Sequence, residues 1–204
     1  MLDVLINNAG VNLDNEFGVE NASKTLETNY RGTLEMTRAA LPMMREKTGE
    51  GPGSGGRIVS LSSVGSSLKT WKPELAEKVR AIDSMEELEK MMQEYLKLVE
   101  QGRDADTGFP SERSYGVSKT AINVLTKLLA RENPEVTINC CCPGWIDTGM
   151  GDLVSSRKMK PPKTPEQGAI IPFRLAFGDI GSVSGKYWAN ESVRSKEDGQ
   201  VQEW

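Results

Sequence analysis

Tyr115 and Lys119, in the stretch YGVSK, stand four residues apart. In a helix that spacing puts both side chains on one face, within reach of each other. A tyrosine ordinarily titrates at about pH 10. A neighbouring ammonium favours the phenolate and lowers that value. A phenol so tuned can give a proton to a developing alkoxide, or take one from an alcohol. The 204-residue chain contains no histidine. That removes Ser-His-Asp and Cys-His catalysis, histidine metal ligands and histidine bases together. Acid–base work near neutral pH falls to a carboxylate, lysine, tyrosine or cysteine with a shifted pKa. The same four-residue spacing also occurs on solvated helix faces, so the surroundings decide.

Ser62 and Ser63 follow the apolar run Ile58-Val59-Ser60-Leu61. The carboxyl end of such a strand opens onto the ligand crevice of an α/β sheet. A hydroxyl there either hydrogen-bonds a substrate carbonyl and the charge that develops on it, or simply caps a turn. Asn29 lies inside a helical pattern, where asparagine is disfavoured. It is either an exposed residue or a buried amide that holds a water chain. Asn7-Asn8-Ala9-Gly10 and Pro143-Gly144 end strands in small or turn-forming residues, which lets a planar ligand approach the backbone. Cys140, Cys141 and Cys142 are consecutive and are the chain's only cysteines. They have no disulfide partner elsewhere and fit no zinc spacing. Two readings stand: small buried apolar residues on a strand, or a thiol activated by nearby positive charge.

These residues need elements to position them. MLDVLINNAGVN opens the chain with Leu2, Val4, Leu5 and Ile6 before turn residues, which reads as a buried strand over about 3–7. A helix is expected over about 20–47, with Leu26, Tyr30, Leu34, Ala40 and Leu41 on its apolar face and Pro42 disturbing its later part. The glycine-rich run 49–56 reads as a flexible loop. Further strands are expected at Arg57–Ser62, about 136–142 and near 185–189, the last followed by a polar tail. Helices are expected at about 115–131, stopped by Asn133-Pro134, and near 165–178, where Thr164 caps and Pro165 starts the first turn. The segment 66–113 interrupts this alternation. Within it, Ser84 and Glu87 form a capping-box pattern, Met85, Leu88, Met92, Tyr95 and Val99 make one apolar face, and Gly102 closes the helix. That stripe reads as core packing or a binding face. The whole predicts one α/β domain over 1–204 with a parallel sheet and a helical insertion at 66–113.

Hydrophobic residues make up 37% of the chain and charged residues 26%, as in globular proteins, and the net charge of −4 lacks a nucleic-acid footprint. No apolar run approaches the roughly 18 residues that cross a bilayer. No basic region and cleavage site open the chain. The expectation is a cytoplasmic protein with no nucleic-acid or membrane partner.

The chain resembles the short-chain dehydrogenases/reductases. The matching elements come in family order: NNAG at 7–10, the asparagine of TNYRG, IVSLSS at 58–63, YGVSK at 115–119 and PGWIDT at 143–148. Within the family it is most similar to the monomeric carbonyl reductases, which share the helical insert, the CCPGW sequence and a C-terminus close to QEW. The resemblance implies a Rossmann-like doubly wound sheet and reduction of aldehydes, ketones or quinones by hydride from NADPH. It implies Tyr115 as general acid, with Lys119 lowering its pKa and holding the nicotinamide ribose. Ser63 would orient the carbonyl, and Asn29 would support a proton-relay water. Asn8, Ala9 and Gly10 would pack near the cofactor ribose. Pro143, Gly144, Ile146 and Thr148 would wall the nicotinamide, and Trp145 with the segment to about Pro162 would border the substrate. No metal is implied.

The family pattern also has a glycine-rich turn and two strand–helix units, roughly 80 residues, ahead of the strand at Val4–Ile6. The chain has no G-x-x-x-G-x-G at its start. The expectation is an N-terminally truncated Rossmann-like domain that alone binds NADPH weakly or not at all. The competing expectation is an inactive product that self-associates or pairs with a partner through an exposed strand edge. A serine hydrolase built on Ser63 fails for want of a histidine and a G-x-S-x-G elbow.

Overall fold

The computed structural model describes residues 2–45, 56–153 and 159–204. Among the described residues, five strands form one sheet: β1 (Val4–Asn7), β2 (Arg57–Leu61), β3 (Thr137–Cys141), β4 (Tyr187–Ala189) and β5 (Gln200–Val201). They lie in sequence order; β1 to β4 run parallel, and β5 is antiparallel to β4. The first four match the expected strands. β5 falls in what reads as a polar tail. Two residues with Gln200 and Val201 both exposed leave no apolar alternation to read.

The strands feed two cores because successive side chains point to opposite faces. Ile58 and Ile138 enter the larger core, while Val59, Leu61 and Cys141 enter a second one with Ile171, Leu175 and Trp188. Every residue of β3 is buried, as expected of a parallel strand covered on both sides. Its polar Asn139 is satisfied: Nδ2 donates to the Val183 carbonyl at 2.7 Å, and Oδ1 accepts from the Lys186 N–H at 3.0 Å. The three cysteines are all buried. Burial pushes the Cys140 thiol up to about 12 and raises the other two. That is the small-apolar reading rather than an activated thiolate.

The helices are α1 (Val19–Leu26), α2 (Gly32–Arg45), α3 (Pro73–Ala81), α4 (Met85–Glu100), α5 (Asp104–Thr107), α6 (Ser114–Glu132), α7 (Gly149–Leu153) and α8 (Pro165–Phe177). The single helix expected at 20–47 is α1 and α2 joined through a widened, π-type turn at Glu27–Arg31. Pro42 lies inside α2 without ending it. The end of that expected helix at 46–47, and the glycine-rich loop up to residue 55, lie outside the described residues. α8 covers one face of the sheet, with Thr164 and Gln167 completing a capping box.

The insertion is α3, α4 and α5. α4 buries Leu88, Met91, Met92, Tyr95, Leu98 and Val99, so its stripe is core packing. Each such side chain contributes roughly 1.5–3 kcal/mol. Part-exposed ion pairs such as Arg31–Glu89 (3.4 Å) add roughly 0–1 kcal/mol each. Burial therefore holds the insertion. The capping box there differs from expectation. Ser84 Oγ accepts from the Glu87 N–H, but the Glu87 carboxylate reaches past Ser84 to accept from the Asp83 N–H at 2.8 Å. Gly102 closes the helix with φ +65°.

Candidate active site

α6 packs almost wholly buried against β3 and the turn that follows β2, which brings Tyr115 and Lys119 to the carboxyl end of β2. Lys119 is 4% exposed. Its Nζ donates to the Leu61 carbonyl at 2.6 Å and lies 5.5 Å from the centre of the Tyr115 ring. Burial lowers the Lys119 ammonium to about 8. The Tyr115 phenol is pushed up to about 12, chiefly by burial. A hydrogen bond from Ser63 works in the opposite direction; the negative charge of Asp14 and proximity to Cys142 add to the rise. The expected lowering of this phenol by Lys119 is not what the structure gives: the phenol is raised, and desolvation of the phenolate is the largest cause.

Ser62 and Ser63 divide two tasks. Ser62 is buried and structural, donating to Asn123 Oδ1 at 2.6 Å. Ser63 accepts from the Gly65 N–H at 3.1 Å and turns the same hydroxyl toward the Tyr115 phenol. Gly116 makes this approach possible. A Cβ there would stand 2.8 Å from the Gly65 carbonyl oxygen.

Asn29, at 0% exposure, is the buried amide of the two readings. Nδ2 donates to the Val11 carbonyl at 2.9 Å and to Ser118 Oγ at 3.0 Å, while Oδ1 accepts from the Val11 N–H at 2.8 Å. Both amide hydrogens are committed, so a water would meet only the remaining lone pair of Oδ1. The widened turn that carries Asn29 belongs to a class found frequently at functional sites. Val11 so held places Gly10 against the site. A Cβ on Gly10 would lie 3.1 Å from Asn29 Oδ1 and 3.5 Å from Lys119 Nζ. Asn8 and Ala9 are exposed just before it.

A cavity of about 360 Å³ opens in front of Ser63 and Tyr115. Asn12, Trp145, Ile146, Thr148, Met150 and Met159 are among its other walls. Pro143 and Gly144 line it as well, whereas Asn8, Ala9, Asn29 and Lys119 stand outside it. The loop 143–148 is held from α8's side. Lys163, 1% exposed, donates to the Pro143 carbonyl at 2.7 Å, and the Asp147 N–H donates to the Lys163 carbonyl at 2.8 Å. Gly144 has φ +94°, a conformation that favours glycine.

Sequence reasoning missed Asn12, Asp14, Gly116, Ser118 and Lys163. Gly116 and Ser118 sit inside YGVSK and were within sight. Asp14 and Lys163 act across long sequence separations that no local pattern marks.

A family profile described as "short chain dehydrogenase" matches residues 1–73, and one described as "Enoyl-(Acyl carrier protein) reductase" matches 80–167. Short-chain dehydrogenase/reductase 1 of Saponaria officinalis is 32% identical over 223 residues, covering 94% of this chain and 68% of that protein. The chain belongs to the short-chain dehydrogenase/reductase family. Carbonyl reductase [NADPH] 1 of Mus musculus is 36% identical over 189 residues, and the match covers 86% of this chain but 62% of that relative's length. Among solved structures, salutaridine reductase from Papaver somniferum superposes with a TM-score of 0.76 at 25% identity, covering 91% of this chain and 72% of that one. The family resemblance seen in five short motifs thus extends to the sheet and its crossovers. No helix among the described residues is long and apolar enough to cross a membrane.

Proposed function

We propose that this chain carries the proton-donating and nicotinamide-facing part of an NADPH-dependent carbonyl reductase. The observation that carries the reading is the convergence of Ser63 and Tyr115 on one wall of the cavity, with Lys119 behind the phenol. The residues present suit the nicotinamide end of the cofactor. Gly10 leaves room that a Cβ would fill beside Lys119, and the loop 143–148 offers a glycine at positive φ and the exposed Thr148. Lys119, Asn8, Ala9 and Gly10 would meet the ribose, and Pro143, Gly144, Ile146 and Thr148 the nicotinamide. When bound, NADPH supplies a hydride to the carbonyl carbon.

The chain's own residues do the rest. Ser63 Oγ holds the carbonyl oxygen and the charge that grows on it. Tyr115 Oη gives its proton to that oxygen. A phenol near 12 is fully protonated at neutral pH, as an acid must be. The Lys119 ammonium steadies the phenolate left behind. Trp145, Met150 and Met159 keep the pocket apolar and select an apolar aldehyde, ketone or quinone.

The test is NADPH titration by fluorescence on the folded chain, followed by carbonyl reduction with Tyr115→Phe as control. Reduction that survives Tyr115→Phe unchanged would refute the role of the phenol. One observation favours a second reading, that of an inactive, partner-pairing product. β1 stands at the end of the sheet with Ile6 39% exposed. Strand pairing there would show as a stable dimer or a co-purified partner that charged substitutions in β1 abolish.

A further inference from the structure

α6 lacks a cap of its own. Arg113, at the cap position, offers no side-chain hydrogen bond to the first turn. The cap comes from the loop after β1 instead. The Tyr115 N–H is shared between Asp14 Oδ1 at 3.1 Å and Oδ2 at 3.3 Å, and Ser114 Oγ also donates to Oδ1. The Tyr115 carbonyl is held on the opposite side, accepting from Ser118 Oγ at 2.7 Å, and Ser118 Oγ in turn accepts from Asn29. Asn29 grips Val11, three residues before Asp14. The backbone of the proton donor is thus closed into a ring of hydrogen bonds with the loop 8–14. Asp14's own N–H donates to Asn12 Oδ1 at 3.1 Å, and Asn12 lines the cavity.

We propose that Asp14 is a positioning residue. It docks the first turn of α6, and with it the Tyr115 phenol, onto the loop that carries Asn8 to Gly10. It does so by hydrogen bonds of the charged kind, which are about twice as strong as neutral ones. Its negative charge has a second effect. The groups facing the phenol are Lys119 on its own helix, Ser63 after β2, Cys142 after β3 and Asp14 after β1. Asp14 is the carboxylate among them, and it disfavours the phenolate. The loop that would meet cofactor ribose and the group that gives the proton are therefore one mechanical and electrostatic unit, biased toward the acid form that carbonyl reduction needs.

The proposal rests on Tyr115 as proton donor, so its test uses a readout independent of turnover. The chain labelled with ¹³Cζ-tyrosine is titrated by NMR, with Tyr115→Phe identifying the signal. Asp14→Asn keeps an acceptor but removes the charge. It is expected to move the onset of Tyr115 ionisation down by about half a pH unit or more, leaving Tyr30 and Tyr187 in place. Asp14→Glu is expected to restore the original onset. Asp14→Ala is expected to lower kcat about tenfold through misplacement of the phenol, with a smaller change in KM. An unmoved Tyr115 titration in Asp14→Asn, with kcat intact in Asp14→Ala, would overturn the proposal. If the unaltered chain reduces no carbonyl compound even at high NADPH concentration, the reductase reading fails for this chain on its own. The tyrosine titration still decides the role of Asp14.

Discussion

Gly116 presses on Gly65 so closely that a Cβ on Gly116 would stand 2.8 Å from the Gly65 carbonyl oxygen. This contact seats α6, with Tyr115 in its first turn, against the turn that follows Ser63. Gly116→Ala must push the two apart. The expected cost is about 1–3 kcal/mol of stability, as for an overpacked core, with at least about a tenfold loss of carbonyl reduction from misplacement. Gly32→Ala is the contrast, because its nearest neighbour is at an ordinary 3.6 Å. It should be neutral or stabilise by up to about 1 kcal/mol. Urea denaturation of both variants checks the difference.

The pH profile of reduction should be set by Lys119 before Tyr115. The phenol, raised to about 12, keeps its proton across the working range, while the ammonium, lowered to about 8, loses its own. Reduction should therefore fall as pH rises through about 8. Stability should move the other way. A lysine whose folded pKa lies below its unfolded value binds fewer protons when folded between about 8 and 10.5. Stability consequently rises with pH across that window, as the burial cost of the charge is relieved. A flat kcat/KM profile up to pH 10 would contradict the assignment.

Lys163→Met tests the hold on the loop 143–148. The substitution leaves the Pro143 carbonyl without its 2.7 Å partner. Loss of a buried hydrogen bond costs about 1–3 kcal/mol. That loss is offset in part because the buried ammonium, itself lowered by desolvation, is removed as well. The expected net result is a modest loss of stability and a clear rise in KM for the carbonyl substrate. Thermal unfolding and steady-state kinetics together separate the two.

Leu88→Ala tests whether the insertion belongs to the main core. Leu88 is fully buried on α4. Truncation should cost about 2–5 kcal/mol. A loss below 1 kcal/mol would mean that α4 is a detachable appendage.

NADPH affinity tests how much of the cofactor these residues hold. The residues proposed to face the nicotinamide lie in a match that covers 62% of the mouse relative's length. The expected outcome is weak binding, without saturation at micromolar concentration. Saturable micromolar binding would show that these residues suffice.

Much of this fold was legible along the chain. β1 to β4 are short apolar runs closed by turn residues, and α8 announces itself with Thr164, Pro165 and Gln167. Such elements are local: periodicity and caps act within a few residues. β5 was not legible, because two exposed residues gain their strand character only by pairing with Trp188 and Ala189. The widened turn at Glu27–Arg31 was hidden for a similar reason. Its buried amide is rewarded by Val11 and Ser118, which only the fold brings near.

The amino-acid sequence by itself determined the class of fold and excluded histidine chemistry, and its family motifs singled out Ser63, Tyr115 and Lys119 as the proposed reactive set. Residue types and the order of motifs along the chain are not altered by folding. Tertiary structure decided how that set is tuned. Burial, not the neighbouring ammonium, sets the Tyr115 phenol, because desolvation depends on everything packed around the group. Asp14, about a hundred positions earlier in the chain, caps the helix that carries Tyr115, because hydrogen bonds recognise distance in space and not separation in sequence.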